Sequence, residues 1–303
     1  MTKPNMNVDL NGLKMHNPVT VASGTFGFGR EYADFIDLND IGGISVKGLT
    51  LKKKKGNASP RLAETPMGMI NSVGLQNPGV EVFIKEEIPF LRQFNTKIIA
   101  NANGNSVEEY IEIVEMLSHA DVDSIELNIS CPNVKQGGMA FGTNPDMVKK
   151  VVSEVRKVCK KHLMVKLSPN VTNIGEIAKI AEAEGADALS LINTLTGMAI
   201  DIHTYKPIIA NRIGGVSGPA VKPVALKMVH DVVRSVDIPV LGMGGISNYE
   251  DAAEFLLAGA SAVAIGTANF TNPHATKEVL DGLQTYMMEK QFSSIEEINK
   301  AFR

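Results

Sequence analysis

Short β-branched and aliphatic runs recur along the whole chain: Val19 to Ala22, Gly43 to Val46, Lys97 to Ala100, Ser124 to Ile129, Leu163 to Leu167, Ala188 to Ile192, Ile238 to Leu241 and Ala262 to Ile265. Between most of them apolar positions return at helical spacing, as in Ser106 to His119, Asn144 to Lys161, Ile174 to Glu184, Pro223 to Ser235 and Tyr249 to Ala258. Strands that alternate with helices pair in parallel, and eight such units in 303 residues predict a closed (β/α)8 barrel of the α/β class. A doubly wound open sheet is the alternative. The hydrophobic fraction of 44% is spread evenly, and no Pro/Ser/Gly-rich linker separates two halves. Residues 1–303 therefore read as a single domain, a TIM barrel with loops inserted at the C-terminal face of its strands.

Charge changes this picture little. A formal net charge of −3 offers no basic stripe for nucleic acid. Lys52-Lys53-Lys54-Lys55 is the exception; it reads first as a solvated loop, with partner docking as the alternative. Two cysteines cannot form a disulfide framework and are too few for the four thiolates of an iron–sulfur cluster, so no metal site is expected on this chain and a reducing compartment fits. Met1 to Leu10 is polar and no run of eighteen apolar residues occurs, which predicts a soluble, cytoplasmic protein without membrane contact.

Candidate chemistry collects just after the apolar runs, where barrels of this kind build their sites. In chain order these positions hold Ser23-Gly24, Lys47-Gly48, Asn101, Asn128 with Cys131, Lys166 with Ser168, Asn193-Thr194, Gly244-Gly245 and Gly266-Thr267. Lysine at the end of an apolar strand is rarely buried without a negative partner, so Lys47 and Lys166 on one rim suggest a bound anion. One of them alone would suit a structural ion pair. The glycine turns around Gly244-Gly245 and Gly266-Thr267 follow the seventh and eighth runs, where a phosphate is commonly seated on backbone N–H groups. Gly242-Met243-Gly244 is not a dinucleotide fingerprint, because Ser247 replaces its third glycine.

Asn128-Ile129-Ser130-Cys131-Pro132-Asn133 places a thiol between carboxamides just beyond a strand. Such a loop supplies one group able to move a proton and others able to grip a polar heterocycle. A lone cysteine more often fills core space, which is how Cys159, in the helical run Met147 to Lys161, is read. Glycines follow Pro132 within a dozen residues, up to Gly142, and predict a loop that opens and closes over a ligand. Two further glycine-punctuated stretches, Asn71 to Gly79 and Gly214 to Pro219, read either as surface turns or as ligand walls; for the second the wall is preferred.

Together these residues resemble the dihydroorotate dehydrogenases, flavoenzymes of pyrimidine synthesis. The resemblance runs nearly end to end and is carried by Val46-Lys47-Gly48-Leu49-Thr50, Asn71-Ser72-Val73-Gly74-Leu75, Glu126 to Asn133, Val165-Lys166-Leu167-Ser168-Pro169 and Asn193 to Asp201. Cysteine at 131 and the lack of an N-terminal extension separate the chain from the quinone-linked class, which carries serine there. Val134 to Gly142 and Gly197 to Asp201 look like the NAD-linked class 1B catalytic subunit, with the fumarate-linked class 1A as alternative.

The resemblance implies oxidation of (S)-dihydroorotate to orotate in de novo UMP biosynthesis, with one FMN per chain across the top of the barrel. Its phosphate would lie at Gly218, Gly244, Gly245, Gly266 and Thr267, and its ring and ribityl chain against Ser23, Lys47, Gly48, Asn101, Asn128, Lys166 and Ile192. Substrate would be held by Lys47, Asn71, Ser72, Val73, Gly74, Leu75, Asn128, Asn133, Asn193 and Thr194. Cys131 would be the general base; an ordinary thiol titrates at about 8.5, so flavin reduction should quicken as pH rises towards that region. Electrons would pass to a partner subunit carrying FAD and a [2Fe–2S] cluster and thence to NAD, in a heterotetramer of two of each subunit built on a homodimer of this chain. Other readings are a lysine Schiff-base aldolase using Lys47 or Lys166, which leaves Cys131 idle, a tRNA dihydrouridine synthase, which calls for a basic face, and an FMN-binding module without turnover.

Overall fold

The computed structural model describes residues 3–130 and 141–302. Among them eight parallel strands close on one another: β1 (Val19–Val21), β2 (Gly43–Ser45), β3 (Lys97–Ala102), β4 (Ser124–Asn128), β5 (His162–Lys166), β6 (Ala188–Leu191), β7 (Val240–Met243) and β8 (Ala262–Ile265). Each pairs with the next in sequence, and β8 returns to β1 through Val263↔Val19, Ala264↔Thr20 and Ile265↔Val21. The ring has no edge, so the expected barrel is observed and the open sheet is excluded.

Helices Val107–Ser118, Pro145–Val158, Ile174–Ala183, Lys222–Val233 and Tyr249–Leu257 pack outside the ring. Four of them begin on a side-chain cap: Ser106, Asn144, Asn173 and Asn248 each accept a hydrogen bond from a backbone N–H of the first turn. Helix Pro145–Val158 stops sooner than its apolar pattern suggests. Cys159 is its extended C-cap residue rather than a helical one, buried with its thiol donating to the Lys161 carbonyl, and burial pushes that thiol up from its ordinary pKa. β7 also departs from expectation, starting at Val240 and running through Gly242-Met243. A Cβ on Gly242 would sit 2.7 Å from the Phe255 ring and 3.3 Å from Ala260, so this glycine is a strand residue pressed under a helix; the turn proper is Gly244-Gly245.

Apolar residues fill two layers. One lies between strands and helices; the other fills the barrel interior with Ile99, Met164, Leu241, Met243 and Ala264, the last two reaching the cavity at its upper end. Leu10, Leu13 and Met15 join the second from an antiparallel hairpin, Val8–Leu10 with Leu13–Met15, that closes the N-terminal end of the barrel. Asn11-Gly12 forms its turn with both residues at positive φ, as a two-residue hairpin turn requires. At the other end a four-stranded antiparallel sheet, in the order Leu195–Met198, Ile213–Ser217, Gly68–Asn71 and Leu62–Thr65, stands over the strand ends. Among the described residues no helix is long and apolar enough to cross a membrane.

His162 ties the hairpin to the barrel. Its Nε2 lies 2.7 Å from the Leu10 carbonyl and its Nδ1 2.7 Å from Ser124 Oγ, an arrangement suited to a neutral ring that donates to Leu10 and accepts from Ser124. Burial is the largest influence and holds the imidazole below its ordinary value, so on acidification the unfolded chain takes up its proton first. The stabilisation is present above about pH 6.5, the ordinary histidine value, and is lost as pH falls from there through the folded value. Urea unfolding at matched pH should therefore show wild type losing its advantage over His162→Gln on acidification. An advantage that grew instead would overturn the neutral-ring assignment.

Candidate active site

Along its axis the barrel interior turns from apolar to polar. Asn101, Glu126, Asn128, Lys166 and Ser190 are all buried at its upper end, below a cavity of about 730 Å³. Every sequence-predicted cofactor or substrate contact that the structure describes lines this one cavity: Ser23, Lys47, Gly48, Asn101, Asn128, Lys166 and Ile192 from the strand ends, Gly218, Gly244, Gly245, Gly266 and Thr267 at the glycine turns, and Asn71, Ser72, Val73, Gly74, Leu75, Asn193 and Thr194 from the wall; Ser168, the candidate beyond Lys166, is buried outside it. Cys131 and Asn133 lie outside the described residues.

Lys166 dominates the electrostatics of the floor. It is only 4% exposed and donates to Ser23 Oγ at 3.2 Å, while among the described residues no carboxylate lies within ion-pair distance of it. A buried cation without a carboxylate favours an anionic ligand. Lys47 reaches the same space, since a Cβ on Gly24 would lie 3.5 Å from its Nζ.

The glycine turns converge through close backbone approach. Gly218, Gly244 and Gly245 all have positive φ, and a Cβ on Gly245 would come 2.8 Å from the Gly218 carbonyl and 2.9 Å from the Lys222 nitrogen. The turn after β7 is thus laid against the start of helix Lys222–Val233, the positive end of its dipole. Thr267 Oγ1 donates to Ser217 Oγ at 2.8 Å beside it. The Lys222 ammonium is engaged by Asp251 at 2.6 Å and Glu254 at 3.1 Å, which raise its pKa, so the cradle is one of backbone and hydroxyl groups.

The wall is better ordered by hydrogen bonds than a plain turn would be. Asn71 donates to the Gly215 carbonyl at 3.2 Å, joining the two stretches that the sequence left between loop and wall. Asn57 Nδ2 grips Ser72 through its carbonyl at 3.0 Å and its hydroxyl at 2.9 Å, and Asn77 bridges Thr50, Leu75 and Gly79. Both stretches serve as walls. Asn57, Asn211 and Ser247 also line the cavity and escaped the sequence reading as contacts, while Thr196 and Ser217 line it from stretches already read as motif and wall. Asn57 follows the lysine run after Gly56; of that run Lys52, Lys53 and Lys55 are exposed as expected, while Lys54 is half-buried and donates to Asn105 at 3.1 Å.

This donor set fits FMN. The cavity has the volume of a cofactor site, its glycine cradle suits a phosphate, and a buried cation faces the remaining space. Gly245→Ala, which puts a Cβ into the Gly218 carbonyl at a positive φ, should purify with well under half the flavin of wild type, read by visible absorbance. Full flavin content in that variant would remove the cradle from the phosphate site.

Comparison with known proteins points the same way. The dihydroorotate dehydrogenase family model matches residues 5–287. The chain is 60% identical over 298 residues, 98% of this chain and 99% of the other, to a protein of Alkaliphilus metalliredigens (strain QYMF) named dihydroorotate dehydrogenase B (NAD(+)), catalytic subunit. A protein of the same name from Thermoanaerobacter sp. (strain X514) is 56% identical over 296 residues, 98% of this chain and 97% of the other. Among solved structures, the DHODH of Eimeria tenella in complex with ferulenol matches with a TM-score of 0.80 over 97% of this chain and 87% of that one, at 21% identity, a likeness of fold.

Proposed function

We propose that this chain, which belongs to the dihydroorotate dehydrogenase family, is the catalytic subunit of an NAD-linked class 1B enzyme and oxidises (S)-dihydroorotate to orotate in pyrimidine (UMP) biosynthesis. The observation that carries this reading is the convergence of every described cofactor and substrate contact on one cavity with a buried, carboxylate-free lysine at its floor. The relatives' name favours the NAD-linked form over the fumarate-linked one.

FMN, one per chain, would supply the hydride acceptor when bound. Gly218, Gly244, Gly245, Gly266 and Thr267 would hold its phosphate, and Ser23, Lys47, Gly48, Asn101, Asn128, Lys166 and Ile192 its ring and ribityl chain. The Lys166 ammonium, kept from water, stabilises negative charge beside it far more than an exposed lysine would. Lys47, Asn71, Ser72, Val73, Gly74, Leu75, Asn128, Asn133, Asn193 and Thr194 would orient the substrate; its amide-like ring and carboxylate match a surface of ammonium and amide groups. Cys131 would take the proton from C5 of dihydroorotate as the hydride leaves C6.

The words "catalytic subunit" in the relatives' name support a separate partner, and the sequence lacks a dinucleotide fingerprint of its own. We propose that a subunit bearing FAD and a [2Fe–2S] cluster relays electrons to NAD, in a cytoplasmic heterotetramer of two of each subunit around a homodimer of this chain.

Two measurements test the reading. Cys131→Ala should retain its flavin and slow anaerobic flavin bleaching by dihydroorotate by roughly 10²–10⁴, the scale of a lost general base; release of the flavin would recast the cysteine as structural. The purified chain alone should bleach with dihydroorotate yet barely reduce NAD. Robust NAD reduction without a partner would refute the relay.

A further inference from the structure

Glu126 is wholly buried on β4 and does not line the cavity. Its oxygens are engaged on both sides: Asn101, its partner across the ladder, donates Nδ2 to Oε2, and Ser190 Oγ donates to Oε1 at 2.7 Å. A carboxylate only accepts, so Asn101 must turn its nitrogen towards Glu126 and its oxygen away. That oxygen receives Asn103 Nδ2 at 2.7 Å and Asn128 Nδ2 at 3.3 Å. Asn128 in turn faces its own oxygen to Ser130 Oγ at 2.6 Å and to Asn193 Nδ2 at 3.5 Å. Three amides therefore donate in one direction, Asn193 to Asn128 to Asn101 to Glu126.

An amide flip exchanges nitrogen and oxygen with almost no change of shape, so a row of asparagines has no preferred direction by itself. Asn103 would not resist reversal, because its Oδ1 is buried without a partner and a flip would let it accept from Asn101. Groups at both ends break the tie in the same sense: Glu126 only accepts, and the backbone N–H groups of Ser130 and Thr194, which only donate, take the side-chain oxygens of Asn128 at 3.3 Å and Asn193 at 2.8 Å. We propose that Glu126 is a positioning residue: by turning the Asn101 oxygen towards Asn128 it locks in the orientation that the Ser130 N–H also favours, so that Asn128, whose oxygen is taken by the protein, presents its remaining N–H to the cavity. Beside Lys47 and Lys166, that selects a ligand rich in carbonyl oxygens and negative charge. The role in turnover rests on the function proposed above; the direction of the chain does not.

The test is a thermal-melting cycle on ligand-free protein. Glu126→Gln keeps shape and volume and should melt within a few degrees of wild type. Because glutamine satisfies either direction while the Ser130 N–H still favours the original one, a minority of molecules then turn the Asn128 carbonyl inward, and apparent affinity for FMN and for orotate falls by less than about twofold. Asn128→Asp sets an acceptor against the Asn101 oxygen and should melt well below wild type. In Glu126→Gln/Asn128→Asp the chain can reverse, with the introduced glutamine amide donating to Asn101 and Asn101 donating to the introduced carboxylate, so the double variant should melt above Asn128→Asp alone. Repeating the cycle with Asn101→Ala separates the relay from simple relief of charge repulsion: the coupling should vanish. Additive melting shifts, or a coupling that survives loss of Asn101, would overturn the proposal. Wild type that binds FMN but is not bleached by dihydroorotate would sink the functional reading instead, and leaves the melting cycle untouched.

Discussion

Side chains alternate along a strand, and in a closed parallel ring each strand has only an inside and an outside. On β4 this sends Ile125 and Leu127 to the helix layer and leaves Ser124, Glu126 and Asn128 inside; on β5 it leaves His162, Met164 and Lys166 inside. Slippage by one residue would drive a carboxyl, an amide and an ammonium into the helix layer together, so the register is held by a penalty of many kcal/mol rather than by one contact. The hairpin of Leu10, Leu13 and Met15 seals one mouth with apolar groups. The polar inward positions at that mouth, Ser124 and His162, are satisfied by each other and by the Leu10 carbonyl, and those left to meet a ligand gather at the other mouth, where the site is the last inward layer of the barrel.

That constraint explains what could be read without coordinates. Strand ends are marked by where apolar runs stop, so listing the residues after each run assembled the floor and the glycine cradle although they come from all parts of the chain. β7 slipped by two residues because Ile238 looks like a strand residue and Gly242 like a turn; only the packing of Phe255 and Ala260 shows that the glycine is needed inside the strand. The upper antiparallel sheet was legible only as a preference for a wall. Its strand Ile213–Ser217 carries two glycines and is nowhere fully buried, so no period of two is written in it, and its partner Asn71 lies 144 residues away from Gly215. Glu126 stood inside a recognised motif, yet an acid in an apolar run reads as a blemish unless Ser124, Glu126 and Asn128 are taken together as one face.

Within that face the barrel buries a cation and a carboxyl group without joining them. Lys166 and Glu126 lie on adjacent strands, one layer apart, and are not within ion-pair distance. Direct pairing would have neutralised both and left the cavity floor indifferent to charge. Instead Glu126 is satisfied by an amide and a hydroxyl, which stabilise a buried acceptor without supplying a counter-charge, and Lys166 is left to a serine oxygen. The barrel by itself therefore carries a cation with no carboxylate in direct contact, whose desolvation is unfavourable, and an anionic ligand recovers part of that energy on binding. By linkage, whatever anion fills the cavity stabilises the fold in proportion to the logarithm of its concentration over its Kd. The same separation that leaves the cation without a carboxylate in direct contact is what makes the site selective.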